Sequence, residues 1–556
     1  MSSSRIICWF VSTVIFILLV CGRATAQEDQ HGAAPSSAAS ACTTIGFGTV
    51  HHAVNTSNPE AQRAFERALA LDYGFNHNQA EKCFQHAAEL DPNMAMAYWG
   101  IALVLGTNYN LPVDAEGEKK AYDAIQKALA LSTKGPANER AYIEALAKRY
   151  TDKSDANYEQ LEMAYHDAMR TLYQSYPADL DAATLFAESG MNLHPWKLWS
   201  RDGTPAPGTE EIVAALNSVL QRNPNHLGAN HFYIHAVEAS SHPEAALPSA
   251  QRLAGLAPES GHLVHMPAHI FIRTGDHESS ERTNVAAARA DEAYFEVAHP
   301  QGIYPMMYYT HNLHFIAVEN AFMGRYAGAM EGAKRVQANV APHVKEMSML
   351  DAFNTMPIQI MVRFHRWDEI MALPQPDASL PMSNGVWHFA RAMAYANGGK
   401  LDQARAELAA LRELAPEMAK VSTNPQGPHN AEVIPQIMAH FVEARIANAG
   451  HETNAVIENL REAVSLEDSL DYNEPPDWLY PMREPLGAAL LQAGKPAEAE
   501  HVFREDLKEN ARNPRSMFGL AESLKAQGKT EEAKAEEQQF KIAWRNADTK
   551  LAVPEL

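Results

Sequence analysis

An all-α solenoid of stacked helix pairs is the fold this sequence predicts, and three observations predict it. From about residue 58 onward the apolar residues recur at helical spacing almost without interruption, and nothing alternates with the period of two that a strand needs. The helices come in pairs with a fixed repeat: Pro224 and Pro258, each closing a pair, stand thirty-four residues apart. The chain of 556 residues is also too long for one compact core and suits an extended array.

Each element follows from a recurring pattern. First helices read AMAYWGIALVL (95–105), REPLGAALLQAG (483–494) and SMFGLAESLKAQG (516–528). Second helices read AEKCFQHAAELDP (80–92), AEAEHVFREDLKENARNP (497–514) and GKTEEAKAEEQQF (528–540). Between Pro224 and Pro258, the small residues Ala245 and Ala246 let two helices approach. One pair cannot hide its apolar face alone, so neighbours stack into a continuous core. A thirty-four-residue period with this mixture of small and aromatic residues resembles the tetratricopeptide repeat (TPR), which implies a right-handed solenoid. By that template roughly a dozen helix pairs span residues 58–545, followed by a tail at 546–556. Joins near 191–209 and 416–435 are longer than a plain repeat needs, and long insertions on a solenoid often serve its functional face.

The N-terminus predicts export. Arg5 precedes the apolar run IICWFVSTVIFILLV, and ATA at 24–26 offers a cleavage site, so residues 1–26 read as a signal peptide. The rival is a lipoprotein anchor at Cys21, where Val20 occupies a position that favours a small residue. Residues 27–57 then form a linker and N-terminal segment, small and polar at first. Periplasmic or secreted localisation follows, with no membrane association after cleavage. Cys42 and Cys83 remain; they either pair in the oxidising compartment or stay as separate thiols. Net charge is −22, and −24 without Arg5 and Arg23 of the leader, which argues against nucleic acid and anionic lipid as partners.

The chemistry concentrates in "NHFYIHAVE", "GHLVHMPAHIFIR" and "YYTHNLHF". His231/His235, His265/His269, His262/His265 and His311/His314 are each three or four apart, so each pair shares a helix face. In the tetratricopeptide resemblance the first helix of each pair lines the concave groove. That resemblance puts His231, His265 and His314 at its fifth position, His235 and His269 at its ninth, and His262 and His311 at its second. Glu238 and Arg273 take the twelfth and thirteenth; Asp181 and Glu188 take the second and ninth one repeat earlier. Seven imidazoles aimed into one groove need partners. They bond one another, grip a peptide, surround water, or hold a transition metal. Imidazole with some carboxylate suits one or two ions of copper, iron or zinc, and the absence of cysteine disfavours a structural zinc knot. Glu238 is then a ligand or general base, with Glu188 as a second carboxylate, and Arg273 orients an anionic substrate or the carboxylate. Pro267 interrupts the helix between His265 and His269 and predicts a break. FNTMPIQIMVR (353–363) repeats the Met-Pro without histidines, so the break is architectural.

The run from Gly228 to Asp276, with MNLHPWKLW, YYTHNLHF and EPPDWLYPMREPLGAALLQAGKPAEAE, resembles a large group of exported bacterial tetratricopeptide-repeat proteins, mostly of unassigned function. The resemblance spans nearly the whole mature chain. The group carries a basic residue where His194 stands, which sets His194 apart from the ligands. Three functions stay open: a metal-dependent, oxidative enzyme, a non-enzymatic scaffold holding a peptide, protein or small molecule in the groove, or, behind these, metal storage or delivery. EPPDWLYPMREP (474–485) is either a wall reaching across the superhelix or a packed loop between repeats. The phosphate-cradling, HExxH, GxSxG and dinucleotide motifs do not occur.

Overall fold

The computed structural model describes Cys42 and residues 46–153, 155–300, 302–421 and 430–556. The predicted signal at 1–26, the polar start of the linker and the middle of the second insertion lie outside the described residues. Those described form twelve successive helix pairs, from Pro59–Asp72 with His77–Leu90 to Pro514–Ala526 with Thr530–Ala543, counting a helix broken at a proline as one. Two isolated bridges, Asn108 with Leu111 and Trp199 with Pro205, are the only extended pairings among them. The all-α, TPR-type solenoid predicted from the thirty-four-residue period is therefore what the helices form.

Local chemistry sets the boundaries. Asn58 accepts from the Glu60 and Ala61 amides ahead of Pro59, and Asp179 caps Leu180–Met191 in the same way. Gly275 ends its helix at φ 74°, a conformation other residues adopt only with strain. Pro267 splits its helix into Gly261–His265 and Pro267–Arg273. Pro357 does the same to Leu350–Asn354 and Met356–Arg363, without histidines, so the break is architectural as read.

The array closes on itself. Residues 46–58 cross several repeats: the Glu259 amide donates to Gly46 O, Phe47 packs edge-on against Tyr294, and His52 Nδ1 lies 2.7 Å from Asp181 Oδ2. A disulfide joins Cys42 to Cys83 and so ties this segment to the first pair. Tyr73, at the end of the first helix, donates to Asp181 (2.6 Å) and packs on Gly228, where a Cβ would come within 2.7 Å of its ring. From the other end, Arg201 pairs with Asp468 at 2.9 Å, and Arg363 and Arg515 clasp the buried Glu484. The insertion at 191–209 is anchored by Trp199, whose indole donates to Ala236 O (2.7 Å). Early and late repeats thus meet over the middle of the chain.

Candidate metal centre

Five helices carry the site: α1 (Leu227–Val237), α2 (Gly261–His265), α3 (Pro267–Arg273), α4 (His277–Ala298) and α5 (Tyr309–Phe322). The histidines of α1, α2, α3 and α5 meet in the groove, and α4 backs them from the outer layer. Two trios form, His231 with His235 and His262, and His265 with His269 and His311. Within each trio one ring nitrogen per residue lies within 4.8 Å of the others. The trios adjoin: His235 and His269 rings are 5.8 Å apart and His262 and His265 rings 6.1 Å, hardly more than the spacing inside a trio.

Hydrogen bonds fix how the rings face. His231 Nδ1 donates to Tyr73 O (2.7 Å). His235 Nδ1 donates to Glu238 Oε1 (2.7 Å), and His269 Nδ1 donates to Glu238 Oε2. His265 Nδ1 donates to Asn284 Oδ1 (2.7 Å), an amide oriented by its own bond to Ser280 O. Every one of these partners only accepts, so each Nδ1 carries the proton and each Nε2 presents a lone pair. The four Nε2 atoms point inward. His235 Nε2 is buried without a hydrogen-bond partner. His265 Nε2 and His269 Nε2 face each other at 2.8 Å, and His231 Nε2 and His262 Nε2 at 3.0 Å.

Two lone pairs at 2.8 Å repel unless a cation lies between or beside them. A proton there makes a buried imidazolium, which the surroundings oppose: burial holds His265 well below its ordinary range, with His269 adding to the effect. Burial likewise pushes His231, His262 and His311 well down, each reinforced by a neighbouring imidazole. Burial pushes the Glu238 carboxyl up, but His269 and His235 outweigh it and keep it well below the usual carboxylate range. Glu238 therefore stays an anion bridging the two trios from behind.

The expected residues divide accordingly. Six of the seven histidines converge; His314 falls outside both trios, its ring 5.6 Å from Phe353 and its imidazole pushed down to about 4 by burial. It points one helical step away from His311, toward the neighbouring repeat. Glu238 accepts from one Nδ1 with each of its oxygens, which makes it a positioning group for both trios. Arg273 holds the Glu238 backbone carbonyl (3.1 Å) and lies over the Tyr472 ring, facing a separate chamber of about 600 Å³. Glu188 is elsewhere in the groove, bonded to Asn192, where burial outweighs Arg149 and raises it to about 7. Asp181 also lies apart, between His52 and His226.

Several contributors come from distant sequence. Phe75, in a turn at φ 54°, packs against His231, His235 and His262. Tyr109 and Trp196 stack beside His235. The 474–485 segment combines both readings: Glu474, Pro475 and Asp477 line the cavity beside the histidines, while Trp478 and Tyr480 are buried against Phe389; neighbouring Tyr472 bonds Glu474 (3.1 Å) and reaches Glu238 (3.4 Å). Its prolines and aromatics marked it as special, whereas Phe75 and Asn284 carried no signal at all.

No family model matches the chain, and no curated protein matches it. Among solved structures it is similar to a human IFIT1 dimer with m7Gppp-AAAA, at 12% identity and TM-score 0.32, over 88% of this chain and 91% of that one. Yeast Tom70 is similar at 14% identity and TM-score 0.31, over 87% and 97%. The P58(IPK) TPR domain matches at 12% identity and TM-score 0.23, over 84% and 99%. At these scores the fold rests on the chain's own helix pairs.

Proposed function

We propose that the two histidine trios hold a pair of transition-metal ions and that the chain is an exported, metal-dependent oxidoreductase. The observation that carries this reading is the pair His265 Nε2 and His269 Nε2, 2.8 Å apart with both Nδ1 protons already committed to Asn284 and Glu238. A metal ion accepts both lone pairs at once, and His311 supplies a third. His231, His235 and His262 make an equivalent second position.

Copper suits the donors best. All six donors are imidazole nitrogens, with the Glu238 carboxylate held behind them, so hard oxygen-loving ions gain little. Burial of the whole cluster also favours the lower charge of copper(I) over a pair of divalent ions. Such a pair supplies one-electron chemistry toward oxygen when bound. The chain's residues do the rest: Glu238 and Asn284 fix tautomer and ring angle, while Phe75, Tyr109 and Trp196 exclude water. The Cys42–Cys83 disulfide and the signal-like N-terminus support an oxidising compartment. A scaffold role is less favoured because the chain's own Tyr472 and Glu474 occupy the groove beside the histidines.

Metal content of protein purified without chelators tests the reading. Two equivalents of copper per chain are expected, falling to one or none in a His265→Ala/His269→Ala variant of unchanged helicity. Protein that stays metal-free after reconstitution with copper, zinc and iron overturns it.

A further inference from the structure

Beside the histidines lies a cavity of about 190 Å³, and its walls describe a ligand. One side consists of His262, His269 and His311 rings. Met307, Tyr308, Met349 and Phe353 also line it, with Tyr308 edge-on to His262 at 4.8 Å and Phe353 edge-on to His314 at 5.6 Å. An apolar cavity of roughly 150 Å³ already takes benzene, so one six-membered ring fits here with room for a substituent. Aromatic edges and thioether sulfur favour an aromatic ring over an aliphatic one of equal size.

The polar features are as specific. Asn110, Trp196 and His235 all line the cavity, and each has a buried polar atom without a partner: the amide oxygen Asn110 Oδ1, the indole Trp196 Nε1, and His235 Nε2, which the metal-centre reading already uses. Asn110 Nδ2 is directed to the Tyr308 hydroxyl (3.5 Å), which leaves Oδ1 as the unmet acceptor. An unmet acceptor and an unmet donor among the residues of one cavity match a hydroxyl group, which donates and accepts through one atom. An ammonium group cannot accept from the indole. A carboxylate meets Glu474 and Asp477 in the same wall, and no lysine or arginine lines the cavity to offset them.

We propose that this cavity binds a small uncharged phenol, its ring between Tyr308, Phe353 and the methionines and its hydroxyl between Asn110 and Trp196. The role of this ligand as substrate rests on the metal-centre reading above; its binding site does not, since the walls belong to the protein alone.

The test uses the full chain, once as purified with its metal and once after chelation, with metal content measured on both. Phenol, toluene, cyclohexanol and benzylamine are titrated by calorimetry. Phenol is expected to bind saturably to both preparations, about tenfold or more tighter than toluene, the value of a satisfied buried hydrogen bond, and tighter than cyclohexanol, which has the hydroxyl but lacks the aromatic ring. Met349→Trp, which fills the cavity, is expected to abolish binding without changing helicity or metal content. Asn110→Leu is expected to bring phenol and toluene within about threefold of each other. Absence of saturable phenol binding, tighter binding of benzylamine or cyclohexanol, or phenol binding unaffected by Met349→Trp each overturns the proposal. The two readings fail separately: a metal-free protein that binds phenol sinks only the metal centre, and a metal-bearing protein that ignores phenol sinks only the cavity.

Discussion

Glu238 ends α1 and touches both trios, so its charge is the property that single-residue changes probe best. Glu238→Gln keeps the shape and removes the anion that His235 and His269 donate to. Supporting partners of this kind are worth about 10–100-fold in metal affinity, and a loss of that size is expected in a competition titration against a chelator. An unchanged affinity refutes the bridging role. Glu188, the carboxylate that does not join the site, predicts a different effect. Its pKa is raised to about 7 in the folded chain, so the native state holds a proton that the unfolded state releases near pH 4. Its contribution to stability is therefore greatest below that unfolded value and lost as pH rises toward and through 7. Glu188→Gln is expected to raise the melting temperature at pH 8 relative to the parent and to leave it nearly unchanged at pH 4.5. Equal shifts at both pH values count against the assignment. The histidines could be read in the sequence because thirty-four-residue spacing repeats them on successive inner helices. Asn284 and Phe75 could not, because one comes from an outer helix and the other from a turn 156 residues before His231.

The broken helix α2–α3 shows what an element contributes beyond its side chains. Met266 keeps helical dihedrals (φ −49°, ψ −35°), so the chain direction survives, but Pro267 removes one backbone donor from the ladder. The His269 amide bonds Met266 O instead, three residues back, which tightens the turn separating the two ligands. Pro267→Ala restores the donor. The metal-free variant is expected to melt no lower than the parent, since proline inside a helix costs about 3 kcal/mol. Its metal affinity is expected to fall because the His265 and His269 rings no longer converge. Thermal melts and chelator competition on one preparation separate the two effects; a variant that holds metal as tightly as the parent shows that the break does not set the ligand angle. The helix pairs and this break were readable because prolines and small residues punctuate them. His314 shows the limit of the same reasoning: sharing a face with His311 does not mean joining its trio, and its ring meets Phe353 in the next repeat while still lining the cavity beside the histidines.

At the scale of the molecule, the cross-ties change what a solenoid is expected to do. A linear array couples only neighbouring repeats and can unfold in segments. Here Tyr73 O meets His231 across 158 residues, Tyr472 meets Glu238 across 234, and Asp548 accepts from the Tyr326 amide across 222. The thirty-four-residue period reveals none of these contacts and the EPPDWLYPMREP motif only hints at one, because they depend on how far the superhelix turns before its ends meet the middle. Their consequence is cooperativity. Urea unfolding followed by tryptophan fluorescence and by far-ultraviolet circular dichroism is expected to give coincident transitions. The exposed pair Arg201–Asp468 adds little, and Arg201→Ala is expected to leave that coincidence intact. Glu484 is different: it is buried with Arg363 and Arg515, and Glu484→Ala strands both guanidinium groups. Breaking a buried pair in this way costs about 3–5 kcal/mol, and the C-terminal repeats are expected to melt first, splitting the curves. Coincident curves in Glu484→Ala, or split curves in the parent, refute the closed-array picture. If the split occurs, the C-terminal repeats carry Tyr472 and Glu474 away with them while α1 to α5 stay folded. Metal affinity should then drop at urea concentrations below the main transition, because the trios lose a wall before they lose a ligand.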